Sequence, residues 1–238
     1  MQKSFLLAGA ALVALSTAAS AATFTIDGTA GFIPEAGQTN EVLENVFGIN
    51  DGIRGFFGST VSIDEAATID VNFFGFEAGF SNSFSITGTD PVSSTALTDG
   101  FSTEDPGYGA GSAYATSISN PLDMFQINVG SGQLDFSFAT NGNIAVDKTV
   151  KNGENHSNTE SPAEVNFFTS LSADAKTVFL FFDDTGAGDD DNHDDFVVSL
   201  SIGPAGQEPP AVPLPAGGLL LIGGLGALAV ARRRKVKA

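Results

Sequence analysis

The chain has 238 residues, with 28 acidic side chains against ten basic ones and a formal charge of −18. That balance argues against nucleic acid as a partner, because phosphate binding needs a basic surface. The absence of cysteine excludes disulfides, thiolate zinc sites and cysteine nucleophiles.

Residues 1–21 have the layout of a secretory signal peptide. Lys3 supplies a positive start, Phe5 to Leu15 is an apolar run, and Ala19-Ser20-Ala21 offers small residues for cleavage. Residues 22–203 form the expected ectodomain, about one domain in length. It holds 27 of the 28 acidic residues but only four basic ones, Arg54, Lys148, Lys151 and Lys176. Such a charge suits solubility, repulsion between copies and attraction of divalent cations.

One short helix is expected over 40–48, where Val42, Leu43, Val46 and Phe47 share a face, Asn40 can cap the start and Gly48 can end it. Strands follow at 69–76, 82–88, 125–130, 133–140 and 165–171, which largely alternate apolar and polar residues. The run at 177–183 is continuously apolar in its middle and reads as a central strand covered on both faces. Its natural partner is 196–202. Gly, Asn, Asp, Ser and Pro clusters separate the runs as turns, and the polar stretches 89–121 and 147–163 read as long loops. The expected fold is all-β, a single jelly-roll-like β-sandwich. Its core would be built from many of the 21 Phe residues, with no Trp and two Tyr in the whole chain.

Between the last two strands runs "DDTGAGDDDNHDD", seven Asp in thirteen residues with no Lys or Arg. Each pair of charges about 4 Å apart costs on the order of 1 kcal/mol in water and more when partly buried. The loop is pinned by apolar strands at both ends, so its charges are forced together. A hard divalent cation would relieve them, and calcium takes six to eight oxygen ligands from such loops. The candidate ligands are Asp183, Asp184, Asp189, Asp190, Asp191, Asn192, Asp194 and Asp195, with Gly186 and Gly188 letting the backbone wrap. Magnesium fits less well, since it keeps more water and stricter geometry. An EF-hand is excluded by the missing Gly and distal Glu. Zinc is not expected, because His193 has no second His or Cys nearby; a packed or solvent-facing imidazole is the alternative.

Residues 204–211 are a Pro-rich linker. Residues 212–238 begin with about twenty uncharged residues, long enough to cross a bilayer as a helix. Arg232, Arg233, Arg234 and Lys235 follow, a block that holds the C-terminus in the cytoplasm and the ectodomain outside.

The motif Val212, Pro213, Leu214, Pro215, Ala216, with the Gly-rich apolar helix and the Arg232–Arg234 block, resembles the PEP-CTERM bacterial sorting signal in its VPLPA variant. Leu214 stands where the commonest form has Glu. The resemblance implies export, transient anchoring in the inner membrane, handling by an exosortase-type protease or transpeptidase, and delivery to the cell surface or an exopolysaccharide or biofilm matrix. "FFGFEAGFSNSF" (73–84) and the late acidic loop also resemble segments of secreted PEP-CTERM proteins, which places Asp190, Asp191, Asn192, Asp194, Asp195, Glu77 and Asn82 on recurring positions. The resemblance implies no particular activity. A non-enzymatic matrix protein stabilised by calcium is therefore the leading expectation. A glycan-binding, adhesin-like module is the alternative, and a secreted hydrolase ranks below it. Carboxylates that could do acid–base work on sugars are many, but no motif singles one out; "G-x-S-x-G" is absent, and a Ser-His-Asp arrangement would have to use His156 or His193.

Overall fold

Apolar alternation becomes antiparallel pairing through most of the described residues. The computed structural model describes residues 22–35, 37–105, 108, 111–142, 148–158, 164–186 and 191–202. Residues 1–21, the expected linker 204–211 and the expected sorting segment 212–238, with Val212, Pro213, Leu214, Pro215, Ala216, Arg232, Arg233 and Arg234, lie outside them. Among the described residues no helix is long and apolar enough to cross a membrane.

The strands in chain order are β1 (Phe24–Ile33), β2 (Ile53–Ile63), β3 (Ala67–Glu77), β4 (Asn82–Thr89), β5 (Ala96–Ser102), β6 (Ser112–Tyr114) and β7 (Asp123–Val129). They continue as β8 (Gly132–Gln133), β9 (Phe136–Thr140), β10 (Thr149–Lys151), β11 (Asn166–Leu171), β12 (Thr177–Asp183) and β13 (Phe196–Ser201). The protein is all-β. The described strands join one curled antiparallel sheet in the order β1-β2-β11-β12-β13-β3-β7-β4-β9-β10, with β5 on β4, β6 on β3 and β8 on β2.

The curl brings distant parts of that order face to face. Phe138 of β9 stacks on Phe182 of β12 at 4.9 Å, and Phe136 meets Phe167 of β11 at 5.5 Å. Asn152, just beyond β10, bonds back to β2 near the other edge. Its Oδ1 accepts the Val61 N–H at 2.8 Å, and its Nδ2 donates to the carbonyls of Val61 and Leu134 at 2.7 Å each.

Every residue of β12 is buried, as the continuous apolar run predicts. Val178, Leu180 and Phe182 enter the larger core, while Phe179 and Phe181 enter a second core on the opposite face. Burying a Phe is worth about 1.5–3 kcal/mol, so this strand anchors both layers. β13 pairs with it from Thr177↔Ser201 to Phe182↔Phe196. The second core is covered by the 40–48 segment, which forms a short π-helical turn, Leu43–Phe47. Asn40 Oδ1 accepts the Leu43 N–H at 2.8 Å, and Gly48 closes the turn at φ 67°. Phe47 inserts edge-on against Phe74 at 5.2 Å and Phe179 at 5.5 Å.

Strands also occur where polar loops are expected. β5 and β6 lie within 89–121 and β10 within 147–163. β5 puts Phe101 and Leu97 on the larger core, but Asp99 and Gly100 break its apolar alternation, and the rest of its hold is backbone pairing with β4 from Ser83↔Ser102 to Thr89↔Ala96. Backbone pairing of this kind leaves no period-two signal.

Candidate metal centre

The acidic loop leaves β12 at Asp183 and re-enters the sheet at Phe196. Adjacent paired strands fix both ends, so the loop folds back over the sheet end. Gly186 is required in this return, with φ 67° and the Glu164 carbonyl oxygen 2.4 Å from where a Cβ would stand. His193 takes φ 60°, a left-handed conformation that His, Asn and Asp adopt more readily than most residues. The turn is therefore inverted inward: Asp191, Asn192, His193, Asp194 and Asp195 are all buried.

The described loop residues divide among three settings. In the first, His193 is the hub. Its Nε2 lies 2.8 Å from Asn166 Oδ1, and Asn166 Nδ2 donates onward to Asn158 Oδ1 at 3.2 Å, an orientation that puts the ring proton on Nε2. Its Nδ1 faces Asp191 Oδ1 at 3.2 Å and Asp183 Oδ2 at 3.7 Å. The rings of Phe57 and Phe168 wall the imidazole at 5.4 and 6.3 Å. Asp191 Oδ2 accepts from Asn158 Nδ2 at 2.8 Å, and Asp183 Oδ1 accepts from the Thr185 N–H and hydroxyl. Burial pushes the Asp183 carboxyl up to about 7, opposed by the His193 charge and the Thr185 hydrogen bonds.

In the second setting, Asp184 and Asp195 brace each other through the backbone. Asp195 Oδ2 accepts the Asp184 N–H at 2.8 Å, and Asp184 Oδ2 accepts from Asn82 Nδ2 at 2.6 Å. Burial raises Asp195 well above the carboxylate range, and the Asp184 and Asp183 charges push the same way.

The third setting collects carboxylates from three distant segments. Asp194, just before β13, meets Glu77 at the end of β3 and Glu41 at the entry to the helical turn. One ligand atom from each lies within 4.8 Å of the others. The Glu41 N–H donates to Asp194 Oδ2 at 2.7 Å and the Glu77 N–H to the Asp194 carbonyl at 2.9 Å. Asp194 is fully buried and its Oδ1 has no hydrogen-bond partner, nor has Glu41 Oε2. Burial lifts Asp194 to about 10, and the Glu41 and Glu77 carboxylates add to the rise. Burial also raises the Tyr114 phenol, with the Glu77, Asp194 and Glu41 charges contributing and a Ser112 hydrogen bond opposing.

Asn40 ties the helical turn to the loop. Its Nδ2 donates to the carbonyls of Asn192 at 2.8 Å and His193 at 3.0 Å. Asn192 Oδ1 accepts the Asp194 N–H at 3.4 Å. Asp189 and Asp190 lie outside the described residues. The sequence reading reached Asp183, Asp184, Asp191, Asn192, Asp194 and Asp195, and the resemblance added Glu77 and Asn82. It missed Glu41, the Asn40 bridge and the central place of His193. Glu41 carries no signal in a helix-like segment, where an acidic residue is ordinary.

Among the described residues there are also open grooves, one of about 380 Å³ beside Phe80 and Tyr108 and one of about 470 Å³ that runs from Phe32 to Phe57 and Asn158, at the edge of the His193 setting. No protein-family model matches the chain, and no curated protein or solved structure is significantly similar to it.

Proposed function

We propose that this is an exported, non-enzymatic protein of the bacterial cell envelope or exopolysaccharide matrix, a β-sandwich whose acidic loop is stabilised by calcium. The termini support the first part: a signal peptide for export, and a VPLPA-type segment for an exosortase-type enzyme. The observation that carries the second part is the burial of Asp183, Asp194 and Asp195 in a stretch, 177–202, that contains no Lys or Arg. Buried carboxylates must be paired, protonated or bound to a cation. An exported protein meets calcium outside the cell, and oxygen-only sites in such proteins suit that ion.

The test is thermal unfolding of the protein recovered from the cell surface or medium, with calcium or with chelator at equal ionic strength. Calcium at about a hundred times Kd adds roughly 2.7 kcal/mol if only the folded state binds it. For a domain of this size that raises Tm by about 5–10 °C. An unchanged Tm would remove calcium from the proposal, and a protein confined to the cytosol would remove the sorting.

A further inference from the structure

Of the three carboxylate settings, one gathers oxygen ligands alone, from three distant segments. Asp183 Oδ2, Asp191 Oδ1 and His193 Nδ1 also converge, but that set includes an imidazole nitrogen, which suits softer metals better than calcium. Asp184 and Asp195 have amide donors in Asn82 and the backbone. Glu41, Glu77 and Asp194 come from acidic stretches of the sequence: no Lys or Arg occurs in 35–53, in 55–147 or in 177–202. Asp194, fully buried, keeps an oxygen without a donor, and Glu41 Oε2 is in the same state.

We infer that Glu41, Glu77 and Asp194 form a binding site for a hard divalent cation, calcium. This rests on the calcium reading above and moves the ion: two of its three side-chain ligands lie outside the acidic loop. All three donors are carboxylates, which favours a hard cation over the softer metals that seek His or Cys. Glu41 and Glu77 are half-buried, so one side of the site reaches solvent. Waters complete a coordination number of six to eight from that side. Three charges with water-filled positions suit the weak affinities of extracellular calcium modules, with Kd about 10⁻⁴–10⁻³ M. The ion joins the start of the helical turn, the end of β3 and the entry to β13. These pieces already touch through the Glu41 and Glu77 N–H bonds to Asp194. Calcium thus locks the cover of the second core.

Terbium, a luminescent stand-in for calcium, reports the location. The chain has no Trp and two Tyr. Tyr114 sits opposite Gly75 in the β3–β6 pairing, two residues from Glu77, and feels the three carboxylates. Tyr108 instead packs on Phe73 and Phe76. In the full-length chain, terbium emission on tyrosine excitation should appear, fall as calcium is added, disappear in Tyr114→Phe and persist in Tyr108→Phe. Glu77→Gln alone, and the Glu41→Gln, Glu77→Gln double variant, should weaken calcium binding about tenfold or more and abolish the calcium-dependent rise in Tm. In chelator both variants should melt no lower than wild type, because repulsion is removed. If the rise in Tm persists in both variants, the site is overturned while calcium stabilisation stands. If wild type shows neither emission nor a calcium-dependent Tm, both fall.

Discussion

Asp183 and Asp191 face an imidazole, whereas Asp194 faces two more carboxylates. The clusters lie on the same short turn and share the same cause of stress, removal of charged oxygens from water. One includes an imidazole, His193, held by Asn166 and Asn158. The other gathers three carboxylates from three distant segments. Burial alone therefore does not separate the two; the ligand set does, carboxylates with an imidazole in one and carboxylates alone in the other. Breaking the imidazole cluster should harm the protein whether or not calcium is present, while the carboxylate cluster should respond to the ion.

pH should produce the largest effect. Burial raises Asp183 to about 7, Asp194 to about 10 and Asp195 well above its ordinary value. A carboxyl raised on folding holds a proton that the unfolded chain has released. Its stabilising share is complete below the unfolded value, near 4, and is lost as pH rises through the folded one. Each such group lowers stability by about 1.4 kcal/mol per pH unit within that window. Urea unfolding in chelator should therefore show stability falling by roughly 4 kcal/mol or more from about pH 5 to pH 8. Calcium should flatten the slope by favouring the ionised Asp194. A slope that calcium leaves untouched would assign the loss to Asp183 and Asp195, outside the three-carboxylate cluster.

Next in size is His193→Leu. The substitution leaves Asp183 and Asp191 facing an apolar side chain in a site walled by Phe57 and Phe168. Removing one member of a buried charged group costs about 3–4 kcal/mol. The loss should appear in urea unfolding at neutral pH and persist in saturating calcium. Full rescue by calcium would mean that the ion binds at Asp183 and Asp191, and the contrast between the two clusters would collapse.

Much of this was legible beforehand, for physical reasons that can be named. The β12 run FLFF has no polar alternation, which only a strand covered on both faces tolerates, and it sits between β11 and β13. The acidic loop was visible because like charge so dense needs an explanation. What stayed hidden depends on long-range closure. β1 and β2 hold Gly28, Gly31, Gly55 and Gly58, which interrupt their patterns. Gly55 is there because Thr169 and Phe168 of β11 crowd the space a Cβ would fill. Glu41 lies 153 residues from Asp194, and no local pattern couples them.

The smallest effect tests the link between the clusters. Asn40 sends its Oδ1 to the Leu43 N–H and its Nδ2 to the Asn192 and His193 carbonyls. One side chain thus caps the helical turn and holds the His193 turn beside it. Asn40→Ala removes the cap and leaves those buried carbonyls without its amide. Loss of the cap alone costs about 1–2 kcal/mol. Asn40→Asp keeps the cap oxygen but replaces the amide donor with a fourth carboxylate near Glu41. Both variants should lower stability in chelator, measured by urea midpoint. Calcium should recover more of the loss in Asn40→Asp, where added charge is the fault, than in Asn40→Ala, where a hydrogen-bonding group is missing. Equal recovery would mean that the helical turn and the loop are joined by packing of Phe47 and Leu43 rather than by this amide.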